Sequence, residues 1–156
     1  MSNTLIAYFS ASGVTAQAAR QMAQAVGADL YEIRPAQPYT DADLDWMDKR
    51  SRSTLEMNDP ACRPAIAEPV LDMERYETVF VGFPIWWYVE PRIVDTFLER
   101  YDFSGKTVIP FATSGGSGIA RAEKNLQAHC PQANWKKGRL LNSACAGDWA
   151  KRILNG

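Results

Sequence analysis

The run Thr4-Leu-Ile-Ala-Tyr-Phe9, followed directly by Ser10-Ala-Ser-Gly-Val-Thr15, constrains this chain more than any other stretch. The first six residues carry no charge and are rich in β-branched, aliphatic and aromatic side chains, which predicts a strand buried on both faces, as in the middle of a parallel sheet. The next six are small, hydroxylic and glycine-containing, and Ala16-Gln-Ala-Ala-Arg-Gln-Met-Ala-Gln-Ala-Val26 after them is a run of strong helix formers. A strand, a hydroxyl-rich turn and a helix N-terminus aim backbone N–H groups and the positive end of a helix dipole at one point beside the strand's carboxyl edge. Ser10, Ala11, Ser12, Gly13, Val14 and Thr15 therefore form a candidate phosphate loop; the alternative is a merely capped helix, with Ser12 or Thr15 as N-cap.

The same strand-to-special-loop pattern recurs along the chain. Gly27 is placed to stop the first helix, and Asp29 to Arg34 alternates apolar and polar residues as a more exposed second strand would. Asp41, Asp43, Asp45 and Asp48 precede Lys49, Arg50 and Arg52, a charge order that suits a helix dipole, so Asp41 to about Met57 is expected to be helical, whole or broken, rather than metal-binding. Pro60, Pro64 and Pro69 make the following passage an extended connection, a candidate flap. Thr78-Val-Phe-Val-Gly82 is a second apolar strand and runs into Phe83-Pro-Ile-Trp-Trp-Tyr-Val-Glu-Pro91, with a helix from Arg92 to Arg100 beyond. Thr107-Val-Ile-Pro-Phe-Ala112 is a third, ending in Thr113-Ser-Gly-Gly-Ser-Gly118 before a helix from Ile119 to about His129. A weaker strand within Trp135 to Leu141 and a helix from Cys145 to Leu154 complete the pattern. Strands alternating with helices predict one parallel sheet covered on both faces, in a single domain spanning residues 1–156.

Ligands of such sheets bind at the carboxyl edge of the strands, so three loops distant in sequence are expected to line one site. The first loop lacks the lysine of a nucleoside-triphosphate loop, the three spaced glycines of a dinucleotide fingerprint and the Cys and Arg of a cysteine phosphatase. What remains can hold a phosphate through hydroxyls and N–H groups alone. In the second loop Trp86, Trp87 and Tyr88 are consecutive, and three such rings cannot all enter one core; a planar ligand with a polar rim is what exposed Trp stacks on well. The third loop's glycines permit close backbone approach to that ligand.

The totals exclude other classes. With 17 basic and 18 acidic residues and a net charge of -1, the chain carries no electrostatic footprint for nucleic acid and no polybasic arm for a membrane. No apolar run is long enough to span a bilayer, and no charged region with a cleavage site precedes the first strand, so no secretory signal is expected. Cys62, Cys130 and Cys145 read as reduced structural thiols of a cytoplasmic protein. His129, the only histidine, reads as a solvated residue at a helix end.

With these motifs in hand, the whole chain resembles the flavodoxin-like FMN-binding family in its short-chain form. The hydroxyl-rich first loop, the Pro-x-Trp-Trp loop and the Thr-Ser-Gly-Gly-Ser-Gly loop, in this order, carry the likeness. The resemblance implies an α/β/α sandwich in three layers, with a five-stranded parallel sheet of order 2-1-3-4-5. It implies that Ser10, Ser12, Val14 and Thr15 bind the FMN phosphate, that Pro84, Ile85, Trp86 and Trp87 flank the isoalloxazine and ribityl, and that Thr113, Ser114, Gly115, Gly116 and Gly118 meet the ring's pyrimidine side. It also implies a redox protein: an oxidoreductase passing electrons from a nicotinamide or protein donor to a small acceptor such as a quinone, a flavodoxin-type electron carrier, or a non-redox regulatory protein on the same fold. Carriers of this family are usually strongly acidic, and many sandwich the ring with a third-loop aromatic. This chain is near neutral and has no aromatic between Thr113 and Gly118, which leaves one ring face open to a substrate.

Overall fold

The computed structural model describes residues 3–11, 13–70, 72–113, 118–141 and 146–155. Strands β1 (Thr4–Tyr8), β2 (Asp29–Glu32), β3 (Thr78–Pro84), β4 (Thr107–Thr113), β5 (Asn134–Trp135) and β6 (Arg139–Leu140) belong to one parallel sheet. Its order is β2-β1-β3-β4-β5, with β6 also paired to β4, so the expected 2-1-3-4-5 arrangement is present with a short extra strand. Between them run α1 (Val14–Val26), α2 (Arg52–Met57), α3 (Arg92–Arg100), α4 (Ala120–His129) and α5 (Ala146–Asn155).

The apolar runs are continuous because each central strand feeds a core on both sides. Leu5 and Ala7 of β1, Val79, Val81 and Phe83 of β3, and Val108 and Ala112 of β4 face a core closed by α3 and α4. The alternate residues Ile6, Tyr8, Phe80, Ile109 and Phe111 face a second core closed by α1 and α5. Gly82 is needed by this packing: the Phe111 ring lies over it, and a Cβ there would sit 2.1 Å from Phe111 Cζ. The register puts Gly82 beside both Tyr8 and Phe111, so strand alignment and glycine position determine one another.

Two expectations are corrected. Asp41 to Met57 is not one helix; turns occupy residues 41–50 and α2 begins only after the Ser51 N-cap. The aspartates are the cause. Asp43 accepts from Thr40 N–H at 3.0 Å, Asp45 from Met47 N–H at 3.1 Å and Asp48 from Arg50 N–H at 2.9 Å, so side chains take the donors a helix would use. The weak strand expected between Trp135 and Leu141 is two pieces. Val108 and Ala112 accept from Lys136 and Leu141 N–H, so residue 110 faces the same outer neighbour, where Pro110 has no N–H to give. Opposite it the chain bulges at Gly138, whose N–H goes to Glu123 at 2.7 Å. A Cβ on Gly138 would meet the Pro110 carbonyl oxygen at 2.2 Å.

The long connection after β2 doubles back beside the chain that leaves the strand. Pro35 pairs antiparallel with Ile66, Ala36 N–H donates to Ala65 O, and Ala67 N–H donates to Arg34 O, which ties the connection to the backbone just beyond β2.

Candidate functional site

β1, β3 and β4 deliver their loops to the same carboxyl edge, and hydrogen bonds tie the loops together. Helix α1 begins at Val14 with Gly13 as N-cap at φ 94°, so Thr15 does not cap it. Ser10 Oγ accepts from Gly13 N–H at 3.0 Å and closes the turn. The first backbone bond of the helix runs from Gln17 N–H to Gly13 O at 3.0 Å, so the N–H groups of Val14, Thr15 and Ala16 have no acceptor within the helix. Val14 is exposed and Ala11 half-buried beside them; Ser12 lies outside the described residues. Thr15 is buried, and its hydroxyl pairs with that of Thr113 at 2.8 Å, joining the first loop to the last residue of β4.

The second loop is joined to the same point, because Ile85 N–H donates to Thr113 O at 2.9 Å. Beyond Pro84 and Ile85, both half-buried, the chain makes a tight turn: Trp86 N–H donates to Val89 O at 2.9 Å and Val89 N–H to Trp86 O at 3.1 Å. Trp87 and Tyr88 at its tip have φ of 48° and 73°, the left-handed geometry of a type I′ turn that normally carries Asn and Gly. Holding two bulky residues there costs about 1–2 kcal/mol each, and strain of this kind gathers at binding sites.

The tryptophans part company. Trp86 packs edge-on to Phe9 at 5.6 Å and to Tyr39 at 5.7 Å, which makes it a wall of the site. Trp87 is 42% exposed at the rim, where Tyr88 lies under the Arg121 guanidinium at 5.5 Å. Arg121 and Tyr39 had no signal in the sequence. Tyr39 sits in the long connection, with its hydroxyl donating to Glu56 Oε1 at 2.5 Å and the Arg52 guanidinium 3.9 Å from its ring centre. Burial, and then Glu56, push its phenol well above the ordinary tyrosine value, so it stays neutral. In the third loop, Ser114, Gly115 and Gly116 lie outside the described residues, and Gly118 is exposed.

Just behind the aromatic turn is a buried cluster that sequence reasoning missed. Glu90 and Asp95 are fully buried, Arg92 nearly so, and Asn125 Nδ2 donates to Glu90 Oε2 at 2.6 Å. His129 is not simply solvated: its Nε2 lies 3.4 Å from Asp95 Oδ2. Among the described residues, Glu90, Asp95 and His129 each bring one side-chain O or N atom to within 4.8 Å of the others.

The site tests well against a phosphorylated, planar cofactor. Neutral N–H donors gather at the α1 end, aromatic walls stand at the other, and no described residue from Phe9 to Thr15 puts a negative charge on the phosphate end. Comparison with known proteins agrees. Two solved structures of proteins assigned as flavoproteins resemble it: one from Bacteroides eggerthii, 53% identical over 97% of this chain and 95% of that one with TM-score 0.93, and one from Bacteroides uniformis, 54% identical over 98% and 97% with TM-score 0.91. A flavoprotein from Lactobacillus acidophilus, solved in complex with FMN, is 20% identical over 94% of this chain and 97% of that one, with TM-score 0.76. No curated protein sequence matches significantly. The family model described as flavodoxin matches residues 3–155, and the chain therefore belongs to the flavodoxin family.

Proposed function

We propose that this protein is an FMN-dependent oxidoreductase that passes electrons from a nicotinamide or protein donor to a small acceptor such as a quinone. The chain binds FMN, with the phosphate at the Ser10–Thr15 loop and the ring beside Trp86 and Trp87. The observation that carries this reading is the strained turn at Trp87 and Tyr88, set on the same sheet edge as the α1 N-terminus and locked to it through Thr113. When bound, FMN supplies the redox chemistry, and the protein's part is placement and electrostatics.

The N–H groups of Val14, Thr15 and Ala16 would hold the phosphate, with Thr15 acting through its bond to Thr113 as a brace between loops. Trp86, fixed by Phe9 and Tyr39, would exclude water from one side of the ring, while Trp87 is free to stack on it. Thr113, Ser114, Gly115, Gly116 and Gly118 would meet the pyrimidine side. A net charge of -1 supplies little steering toward a basic protein partner, which favours a small acceptor over a dedicated carrier role. We place the protein in the cytoplasm, where the free thiols of Cys62 and Cys130 would stay reduced. No helix among the described residues is long and apolar enough to cross a membrane.

The test is anaerobic mixing of the FMN-loaded protein with NADH or NADPH, followed by a quinone. Rapid bleaching and rapid recovery of the visible spectrum are expected. Bleaching only by a reductase protein would establish the carrier instead, and a protein that takes up no FMN would overturn both readings.

A further inference from the structure

The cluster under the aromatic turn has more acceptors than donors. Glu90 and Asp95 are both 0% exposed, and Glu90 Oε1 and both Asp95 carboxyl oxygens have no hydrogen-bond partner. Two ionised carboxylates in contact without water would be strongly disfavoured. Arg92 offers one compensating charge, 3.9 Å from Asp95, but its guanidinium is already committed, donating to Met57 O at 2.7 Å and Glu56 O at 3.3 Å. From the other side α4 brings Asn125 and His129, and the connection before β3 brings Arg63, itself bound to Glu99. Two carboxylates with Arg92 leave one negative charge in the core. One proton removes it and joins Glu90 Oε1 to one Asp95 oxygen in a hydrogen-bonded acid pair, with His129 Nε2 3.4 Å from Asp95 Oδ2 on the other side.

We propose that Glu90 and Asp95 hold a single proton between them, exchanged with solvent through His129, and that this acid pair is a protonation switch beneath the ring-end loop. Glu90 directly follows Val89, which closes the aromatic turn, and Asn125 pins it to α4. While the pair holds its proton, Arg92 balances its one remaining charge, Glu90 stays buried and the turn is fixed. Loss of the proton leaves a buried negative charge that Glu90 relieves by moving out, carrying the turn with it. Burial, and then the neighbouring Glu90, push Asp95 up to about 9, which agrees with this geometry. An acid raised in the folded state contributes stability that is full below its ordinary value of 3.8 and is lost as the pH climbs through about 9. A divalent ion is the competing occupant, and the Arg92 guanidinium near Asp95 opposes it.

The protonation is tested without cofactor; only its effect on FMN rests on the flavin reading. Infrared spectra of the flavin-free protein near neutral pH should show a buried protonated-carboxyl stretch that Asp95→Asn removes. The melting temperature of the wild type should fall as the pH rises from about 5 to 9, whereas that of Asp95→Asn, neutral at every pH, should fall much less. If Asp95→Asn does not fold, Glu90→Gln is expected to give the same two results. FMN affinity of the wild type should drop several-fold above about pH 9 and that of the variant should not. Absence of the carboxyl band, an unchanged pH slope in the variants, or one tightly held divalent ion per chain that His129→Ala releases would each overturn the proposal. Loss of FMN binding alone, with the band and slope as expected, would count against the flavin reading and leave the acid pair standing.

Discussion

Trp86 and Trp87 are neighbours in sequence with opposite duties, because the left-handed backbone that starts at Trp87 swings its ring away from Phe9 and Tyr39. Truncating Trp86 removes a wall held by two edge-on aromatic contacts, and Trp86→Ala should cost about 2–4 kcal/mol of stability in chemical denaturation. Trp87, 42% exposed, contributes little to the fold, so Trp87→Ala should unfold within about 0.5 kcal/mol of wild type yet bind FMN about 1–3 kcal/mol more weakly by fluorescence titration. Equal FMN affinity would remove Trp87 from the site. The sequence showed that three consecutive rings could not share one core, but which ring turns outward depends on φ at Trp87 and Tyr88, for which side-chain chemistry carries no signal.

At the scale of elements, packing decides where local preference does not. β3 and β4 lie in register with Gly82 opposite Phe111, and the space a Cβ would need is filled by that ring. Gly82→Ala should therefore lose about 1–3 kcal/mol and shift the strand end that presents Pro84 and Ile85, lowering both melting temperature and FMN affinity. Gly82→Ala in a Phe111→Leu background should recover part of the loss, since the obstruction is the aromatic ring. The buried runs of β1, β3 and β4 were readable because a strand with a core on each side has no polar positions to confuse the pattern. The acidic stretch from Asp41 to Asp48 was not, because the same aspartates favour a helix start by charge and oppose helix continuation by bonding their own backbone. The break between β5 and β6 follows from Pro110 on the neighbouring strand, a long-range cause that no local window contains.

For the whole molecule, the balance of 17 basic and 18 acidic residues bears on how electrons arrive. A protein steered by its field slows steeply as salt rises, whereas encounter with a near-neutral surface does not. Reduction by a small donor should thus change less than about threefold between low and high salt in stopped-flow measurements. A steep salt dependence would point to a charged protein partner and to the carrier reading.

By itself the sequence determined the parallel α/β architecture, because continuous apolar strands follow from local chemistry alone, and the motifs of its loops carried the resemblance to the family. Only the tertiary structure decided that Thr15 binds Thr113 across the sheet, that Tyr39 backs Trp86, and that Glu90, Asp95 and His129 meet. Each of those contacts joins residues on separate elements, and the meeting is set by sheet order and register, which exist only once the chain has folded.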